Sequence, residues 1–492
     1  MRFIFIPLLT LCIMSIHGQT PCVIFENRFS ADWRTTKLCP EEMLRDLDSL
    51  KVTIEKSNPN PYLYCGKLEF DRAYQQARNI LSIPRSYLQF TQTMSEFTNV
   101  MADSHTQILP RTFGSAMRKD YGRIFLPITK IENRYYLAFD SHGLKAGTEI
   151  FKINNIAVDS IFNIAADYVS IEGAAFSLKD ELTAHVFSSI LSLMVPLDIN
   201  EKFSINVDEN TQVTSEALDS KTYQKKRDAY FETILPEKED IEYEIYPEDR
   251  IGVLKIHTFA PYNVKKAYRR IHRFFVWCHE YDLDMVIDLR NNGGGSADLV
   301  QLVYSYLDTN GYCTPNNVVW KSSELSQIPK GLREIFFPKR FEKKVLIDED
   351  RRSYYHALRS PINTVDTIYM QHAKKSKLVC NGNVNVLINA GTASASVDFA
   401  HIIKERKRGV LIGTPCNGGM TGTWGNAKMY YLPITGIGYS ISTIRYNYNR
   451  EFQYDLNPIQ PDIEFKIKPD HLESDYDILL EDLLENGLKE VR

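Results

Sequence analysis

The spacing of apolar residues divides the chain into a helical first part and a later part of strands and helices. Apolar residues recur at helical spacing over residues 40–56, 68–81 and 87–102, which predicts three amphipathic helices. The first of these begins at Pro40, a residue suited to the first helical position, and it ends before the prolines of residues 57–61. The spacing therefore predicts a small helical domain over residues 19–115.

Strand patterns replace the helical ones from residue 124. Short apolar runs at 124–129 and 135–139 precede a stretch at 143–155 that ends in Ile153-Asn154-Asn155. The stretch resembles the later half of a PDZ domain, with Asn155 in place of a turn glycine. Asn tolerates the left-handed backbone that such a turn needs. A PDZ-like domain is therefore expected over residues 116–205, either binding extended peptide or only positioning its neighbours.

Residues 206–245 are polar and charged, which favours a linker. After them, strands at 251–256, 284–289 and 384–388 alternate with helices at 264–281 and 397–403. The unit of strand, glycine-rich turn and helix after residue 284 is typical of a sheet covered by helices. We expect a core domain over 246–492, with a long polar and aromatic insertion at 310–380 and a tail helix near 478–484.

Composition and charge narrow the function classes. The chain has 492 residues, of which 43% are hydrophobic and 24% charged, as in ordinary soluble proteins of several domains. A net charge of −4 gives no basic footprint for nucleic acid.

The first 18 residues have the pattern of a secretory signal. Met1-Arg2 gives a minimal basic start, residues 3–16 are apolar, and Gly18 supplies a small residue near a cleavage point. The apolar run is short for a membrane anchor. We therefore expect a signal peptide over residues 1–18 and a periplasmic, cell-surface or extracellular protein, with no integral membrane span after its removal.

Seven cysteines follow the predicted signal peptide, so an odd thiol remains even if the others pair. Any two of Cys22, Cys39 and Cys65 could form a disulfide, since export permits such bonds. None of the cysteine spacings matches a zinc site, and no metal or cofactor is expected.

Two short motifs could carry chemistry. Residues 391–396 (Gly-Thr-Ala-Ser-Ala-Ser) lie between a predicted strand and a predicted helix, where backbone N–H groups favour negative charge. They could hold a nucleophile whose reaction develops an oxyanion, or they could only cap the helix. His105 follows the third helix in the sequence Asp-Ser-His-Thr, and alone it could be a cap, a surface residue or a base. The glycine turn at 293–295 fits neither a P-loop nor a dinucleotide fingerprint, so an oxyanion hole is the better interpretation.

Several motifs in order resemble the S41 serine peptidases, which include C-terminal processing peptidases and the tricorn core protease. They are Asp-Leu-Arg-Asn-Asn-Gly-Gly-Gly at 288–295, Thr-Ala-Ser-Ala-Ser at 392–396, Gly-Thr-Pro at 413–415 and Ile-Gln-Pro-Asp at 459–462. The resemblance covers most of the mature chain. It implies a multidomain α/β (α+β) protein with an N-terminal helical domain, a PDZ-like β-rich domain and an S41 core of the ClpP/crotonase-like kind.

The resemblance also implies the catalytic residues. Gly419 stands where processing peptidases carry a lysine base, so the tricorn-type histidine mechanism is indicated. Ser394 is then the nucleophile, His105 the general base, and Ser104 and Asp455 support the histidine. Asp455 replaces a usual glutamate, and Pro458 replaces a usual glycine. The oxyanion hole would use the N–H groups of Gly294 and Ala395.

Three neighbouring residues are set aside. Ser396 is the nearest rival to Ser394 as nucleophile, but the first serine of the pair matches the family. Asp398 and His401 on the following helix are interpreted as structural, because a helix places His401 two turns away from Ser394.

The expected function is thus an exported serine peptidase that hydrolyses proteins or peptides through an acyl-enzyme. The first alternative is a catalytically inactive S41-fold protein that binds peptide or an apolar ligand. A weaker one is a peptide-binding scaffold acting through the PDZ-like segment. The chain could also form a homo-oligomer.

Overall fold

The computed structural model describes residues 37–109, 121–208, 210–234, 240–312, 314–322, 360–369, 375–448, 456–474 and 477–485. The predicted signal peptide, Cys22, Asp455 and most of the 310–380 insertion lie outside these residues. Among the helices of the described ranges, none combines the length and apolar character needed to span a membrane.

Three helices form the first part of the chain, close to the predicted bounds. The elements there are β1 (Lys37–Leu38), α1 (Pro40–Ser57), α2 (Gly66–Ile80), β2 (Arg85–Ser86), α3 (Tyr87–Asn99) and β3 (Gln107–Leu109). A capping box begins α3, in which Ser86 Oγ accepts from the Gln89 N–H at 3.2 Å and Gln89 Oε1 accepts from the Ser86 N–H at 3.1 Å. The apolar core of these helices also contains Leu432, Ile437 and Tyr439. The helical segment therefore shares one core with residues 432–441.

The middle part combines short strands with helices around its own core. Its elements are β4 (Ile128–Ile131), β5 (Arg134–Leu137), β6 (Lys152–Ile153), β7 (Ile156–Ala157), α4 (Val158–Asp167), α5 (Lys179–Met194), β8 (Lys202–Asn206), β9 (Gln212–Glu216) and α6 (Ser220–Ile234). One sheet has the order β7-β6-β8-β9, and β4 pairs with β5 in a separate hairpin. Asn155, between β6 and β7, has a φ of +65°, the left-handed conformation for which Asn is suited. The PDZ-like character of this unit stays a prediction.

The predicted linker at 206–245 is not a linker in the structure. It contains β9, which pairs with β8, and α6, whose Tyr223 and Tyr230 are buried beside Phe125. Its last residues begin a strand of the core sheet. The segment is polar because α6 has one exposed face, and a surface helix has the same average composition as a linker.

The third part contains the remaining elements. They are β10 (Ile241–Tyr246), β11 (Ile251–Ile256), α7 (Val264–Glu280), β12 (Asp284–Asp288), α8 (Ala297–Ser305), β13 (Asn317–Lys321), β14 (Val365–Tyr369), β15 (Val384–Ile388), α9 (Ala395–Glu405), β16 (Val410–Gly413), β17 (Gly422–Gly425), β18 (Lys428–Tyr431), β19 (Gly438–Ile441), β20 (Ile444–Asn447), β21 (Ile463–Glu464) and α10 (Ile478–Glu485).

A six-stranded sheet of order β10-β11-β12-β15-β16-β21 is the centre of this part. All neighbours are parallel except the edge strand β10, which is antiparallel to β11. Helices α7, α8 and α9 bury one face of the sheet, and α10 covers the other. Strands β12 and β15 are neighbours, so the glycine turn and the serine turn leave the sheet at the same edge, where ligands of open α/β sheets bind.

Two smaller sheets attach the rest of the chain to this core. Strands β13 and β14 of the insertion join β20 and β17 in a four-stranded sheet. Strand β3, just after His105, pairs antiparallel with β19. The structure is thus the multidomain α/β protein that the sequence predicts, with the helical first part joined to the end of the chain by a sheet.

The cysteines limit the predicted disulfides. Cys65, Cys278, Cys380 and Cys416 carry free thiols in the structure. The two pairings that involve Cys65 are therefore not formed.

Candidate active site

Ser394 lies at the start of α9 in a strained backbone conformation. It is the residue immediately before the helix, with φ +54° and ψ −124°, a conformation that costs a non-glycine residue about 1–3 kcal/mol. Its side chain makes no capping hydrogen bond and is half-buried. Ser394 therefore occupies the N-cap position, but its hydroxyl does not cap the helix.

Ser396 and His401 lie in a different environment. Both are fully buried on α9, and neither side chain has a hydrogen-bond partner. The His401 ring packs 4.7 Å from the Tyr448 ring, and burial lowers the pKa of His401 to about 4 against the opposing effect of Glu405. Both residues belong to the packed face of the helix, and only Ser394 of the serine pair reaches the surface of the turn.

Hydrogen bonds lock the serine turn to the glycine turn. Asn291 and Asn389 bind each other at two points: the Asn291 N–H donates to Asn389 Oδ1 at 2.8 Å, and Asn389 Nδ2 donates to Asn291 Oδ1 at 2.9 Å. Thr392 Oγ1 donates to the Leu289 carbonyl at 2.8 Å, and the Ala393 N–H donates to the Asn292 carbonyl at 3.0 Å. The ends of β12 and β15 are therefore one rigid unit.

Gly294 contacts the nucleophile directly. It has φ +104°, and a Cβ added there would lie 2.6 Å from Ser394 Cβ and 2.8 Å from the Ala395 nitrogen. The Gly294 N–H donates to Asn292 Oδ1 at 2.9 Å, so a substrate oxygen would have to share or replace that acceptor. Ala395 is the first residue of α9, whose N–H has no partner within the helix. The two backbone groups predicted for the oxyanion hole are thus brought together beside Ser394.

Asp103 fixes the segment that carries His105. This carboxylate is fully buried and accepts from the His105 N–H at 2.9 Å, from Thr106 Oγ1 at 2.6 Å and from Ser442 Oγ at 2.8 Å. Ser440 Oγ donates to the His105 carbonyl at 2.7 Å. The backbone of His105 is therefore held between the helical segment and the strand β19.

Glu172 is a site residue that the sequence analysis did not identify. It lies between α4 and α5 and is 1% exposed. Its Oε2 accepts from Ser104 Oγ at 3.0 Å and from the Ser104 N–H at 3.3 Å, and Ser104 Oγ lies 3.2 Å from His105 Nδ1. A carboxylate, a hydroxyl and an imidazole thus follow one another in a chain of hydrogen bonds.

The other oxygen of Glu172 faces three donors. Its Oε1 accepts from Arg445 Nη1 at 2.9 Å, from Tyr64 OH at 3.2 Å and from the Trp424 N–H at 3.2 Å. Arg445 is also buried, and its guanidinium lies over the rings of Tyr64 and Trp424. Burial raises the pKa of Glu172 to about 7, while Arg445 opposes the increase. Burial also lowers the pKa of His105, so the imidazole is neutral and able to accept a proton near pH 7.

Asn417 connects this chain to the nucleophile. Its Oδ1 accepts from the Glu172 N–H at 3.1 Å, and its own N–H donates to the Thr392 carbonyl at 2.9 Å, two residues before Ser394. Ser394 Oγ and His105 do not hydrogen-bond to each other in the structure. Catalytic hydrogen bonds are often long without substrate and shorten when it binds.

Asp103, His105 and Glu172 also have the composition of a metal site. Their ligand atoms lie within 4.8 Å of one another. The oxygens of both carboxylates, however, already accept several hydrogen bonds from side chains and backbone. The geometry therefore describes an internal hydrogen-bond network better than a vacant ligand set.

Comparisons with known proteins place part of this chain in a family. Residues 250–465 match the model of peptidase family S41. The third part of the chain is therefore an S41 peptidase domain. No curated protein matches the chain.

Solved structures of mature CPAF show a similar fold. Mature CPAF is 14% identical to this chain, covers 92% of this chain and 99% of its own, and gives a TM-score of 0.58. Mature CPAF complexed with lactacystin is also 14% identical, with 91% and 99% covered and a TM-score of 0.57. The photosystem II D1 C-terminal processing protease is 15% identical, with 88% and 98% covered, and its TM-score of 0.39 is lower. The similarity to mature CPAF extends beyond the S41 domain to nearly the whole chain.

Proposed function

We propose that this S41 peptidase is exported and cleaves peptide bonds of proteins or peptides through an acyl-enzyme formed on Ser394. The observation that carries the proposal is the geometry of Ser394, which has a strained backbone and no capping hydrogen bond and whose Cβ lies beside the Gly294 turn. The backbone conformation of Ser394 lowers stability, and its hydroxyl makes no capping hydrogen bond. Strain of this kind favours a catalytic role.

In the first step, Ser394 Oγ attacks the scissile carbonyl carbon while its proton passes to His105 Nε2. The negative charge that develops on the carbonyl oxygen is stabilised by the N–H groups of Ala395 and Gly294, each contributing about 3 kcal/mol. The C–N bond then breaks, and His105 returns the proton to the leaving amine.

In the second step, water attacks the ester carbon while its proton passes to His105 Nε2. The ester C–O bond breaks and Ser394 regains the proton. No metal or organic cofactor takes part. Ser104 orients His105 through Nδ1, while the role of Asp455, which lies outside the described residues, stays a prediction.

The test is cleavage of an unfolded protein by purified wild type and by two serine variants. We expect Ser394→Ala to lower kcat by about 10⁴-fold or more, because the nucleophile is removed. Ser396→Ala is the matched control, with the same chemical change two residues away on the buried face of α9. Equal activity of wild type and Ser394→Ala would overturn the proposal.

The second candidate is an inactive S41-fold binding protein. The absence of a hydrogen bond between His105 and Ser394 favours it, because an assembled pair would normally be in contact. A fluorophosphonate that labels Ser394 in wild type, and labels it much more slowly in His105→Ala, would argue against this candidate. Tight peptide binding without turnover would support it.

A further inference from the structure

Glu172 has the contacts of a residue that controls the protonation of His105. The hydroxyl of Ser104 has a single hydrogen, so it can donate to only one of its two neighbours. Above its pKa of about 7, Glu172 is a charged carboxylate, which is a stronger acceptor than a neutral imidazole nitrogen. The hydrogen of Ser104 therefore points to Glu172 Oε2, at 3.0 Å.

This direction determines the tautomer of His105. With its hydrogen directed to Glu172, Ser104 Oγ can only accept from His105 Nδ1, at 3.2 Å. The ring proton then lies on Nδ1, and Nε2 keeps the lone pair that a general base needs. The opposite direction of the Ser104 hydrogen would place the ring proton on Nε2 and remove the base.

We propose that Glu172, from the middle part of the chain, is the orienting carboxylate of the active site, acting through Ser104 on His105. This inference depends on the proposed function and deepens it. It gives to Glu172 the role that the family resemblance gives to Asp455. Glu172 is a positioning residue, because it contacts neither the nucleophile nor the proposed oxyanion hole.

The surroundings of Glu172 suit this role. Five hydrogen bonds from Ser104, Tyr64, Trp424 and Arg445 hold both oxygens, so the carboxylate has one orientation. The Arg445 guanidinium stabilises the negative charge of Glu172, whereas the nearby Asp103 carboxylate disfavours it and raises the pKa of Glu172. The Glu172 backbone is bonded to Asn417 and thereby to the serine turn. The side chain of Glu172 thus contacts Ser104 beside the histidine, while its backbone is linked to the serine turn through Asn417.

The decisive variant is Glu172→Gln. On the Oε1 side, the Arg445 guanidinium and the Trp424 N–H can only donate, whereas, among the described residues, the only such group on the Oε2 side is the Ser104 N–H at 3.3 Å. The Gln oxygen is therefore expected to face Arg445, and the amide nitrogen to face Ser104. That nitrogen donates to Ser104 Oγ and turns the Ser104 hydrogen toward His105 Nδ1. The variant therefore moves the His105 proton to Nε2 while nearly preserving the shape of the side chain.

The tautomer is read by nitrogen-15 NMR of histidine-labelled protein above pH 7, where Glu172 is ionised, with the His105 signals assigned from His105→Ala. We expect the proton on Nδ1 in wild type and on Nε2 in Glu172→Gln. Asp455→Asn should leave it on Nδ1. An unchanged tautomer in Glu172→Gln, or a switch caused by Asp455→Asn, would overturn the proposal. This reading requires no catalytic activity, so it stands even if the protein cleaves nothing.

Kinetics give the second reading. We expect Glu172→Gln to lower kcat by about 10³-fold with KM changed by less than about threefold, because the wrong tautomer removes the base and leaves substrate binding intact. Glu172→Asp should recover part of kcat. Glu181→Gln is the matched control, since Glu181 also joins the middle part to the core, through Thr414 at 3.2 Å, and has a pKa raised by burial. A loss of the same size in Glu181→Gln would mean that Glu172 is only structural.

Ser104→Ala covers the case in which Glu172→Gln does not fold. It leaves the pair of Glu172 and Arg445 in place and removes only the link to His105. We expect a mixture of His105 tautomers and a loss in kcat of about 10²-fold. A wild-type tautomer and wild-type kcat in Ser104→Ala would overturn the proposal, whereas inactivity of wild type itself would overturn only the peptidase function.

Discussion

At the residue scale, the space beside the nucleophile leaves no room for a side chain at Gly294. A Cβ at Gly294 would overlap Ser394 Cβ and the Ala395 nitrogen, and its φ of +104° disfavours any side chain. Gly293, the preceding residue, is exposed and has no heavy atom within 4 Å of an added Cβ. The two glycines therefore form a matched pair for mutation.

We predict that Gly294→Ala lowers kcat by about 100-fold or more, because it displaces an oxyanion donor and the nucleophile together. Gly293→Ala should change kcat by less than about threefold, as expected for an exposed site. Steady-state cleavage of one peptide substrate by both variants measures the difference. Comparable losses in the two variants would show that the turn does not form an oxyanion hole as described.

The pKa of Glu172 gives a prediction about stability. It is raised from an ordinary 4.5 to about 7, so the folded protein holds this proton more tightly than the unfolded chain does. The stabilisation from the bound proton is present below about pH 4.5 and is lost as pH rises through about 7. Glu172→Gln has no such proton.

We therefore expect the free energy of unfolding of wild type, relative to Glu172→Gln, to fall as pH rises from about 4.5 to about 7 and then to level off. Urea denaturation at intervals across this range measures the difference. A difference that stays constant, or rises with pH, would mean that the pKa of Glu172 is not raised.

Among the site residues, those within a local motif could be predicted from sequence. Ser394, Gly294 and His105 each follow an element whose apolar pattern is clear, and the structure has those elements. Glu172 could not be predicted, because its partner Ser104 is 68 residues away and the contact depends on how separate segments pack. Its only local signal is a charged residue between the apolar Ile171 and Gly173, whose φ is +60°.

At the element scale, α6 shows why a polar segment need not be a linker. Tyr230 of this helix is 8% exposed, and its ring lies 6.1 Å from that of Phe125 and 5.8 Å from that of Phe139. Lys225 of the same helix is exposed. Sequence composition averages over both faces, whereas the buried tyrosines determine whether the helix is attached.

We predict that Tyr230→Ala lowers the free energy of unfolding by about 3 kcal/mol, since a large buried ring leaves a cavity. Lys225→Ala, on the exposed face of the same helix, should change it by less than about 0.5 kcal/mol. Chemical denaturation of both variants tests this. No destabilisation in Tyr230→Ala would restore the interpretation of 206–245 as a linker.

The elements of the core were predictable because they are buried on both faces or on one clear face. The strands at 251–256 and 384–388 have the predicted bounds, and α1 and α7 differ by one residue. The pairing of β3 with β19 and of β13 with β20 could not be predicted, because those strands are short and join segments far apart in sequence.

At the scale of the whole molecule, the candidate site is assembled from three parts of the chain. The helical part supplies Ser104 and His105, the middle part supplies Glu172, and the S41 core supplies Ser394, Gly294 and Arg445. Hydrogen bonds through Asn417, Ser440 and Ser442 connect the parts. The helical part also shares its apolar core with residues 432–441. We therefore expect these parts to be required together for activity.

The Ser394 acyl-enzyme is tested most directly by mass spectrometry of acid-quenched reactions with a peptide or ester substrate. We expect an acyl group on the peptide that contains Ser394 in wild type and none in Ser394→Ala. His105→Ala should slow its formation strongly. Substrate cleavage with no acyl group on Ser394, or with the group on Ser396, would show that Ser394 is not the nucleophile.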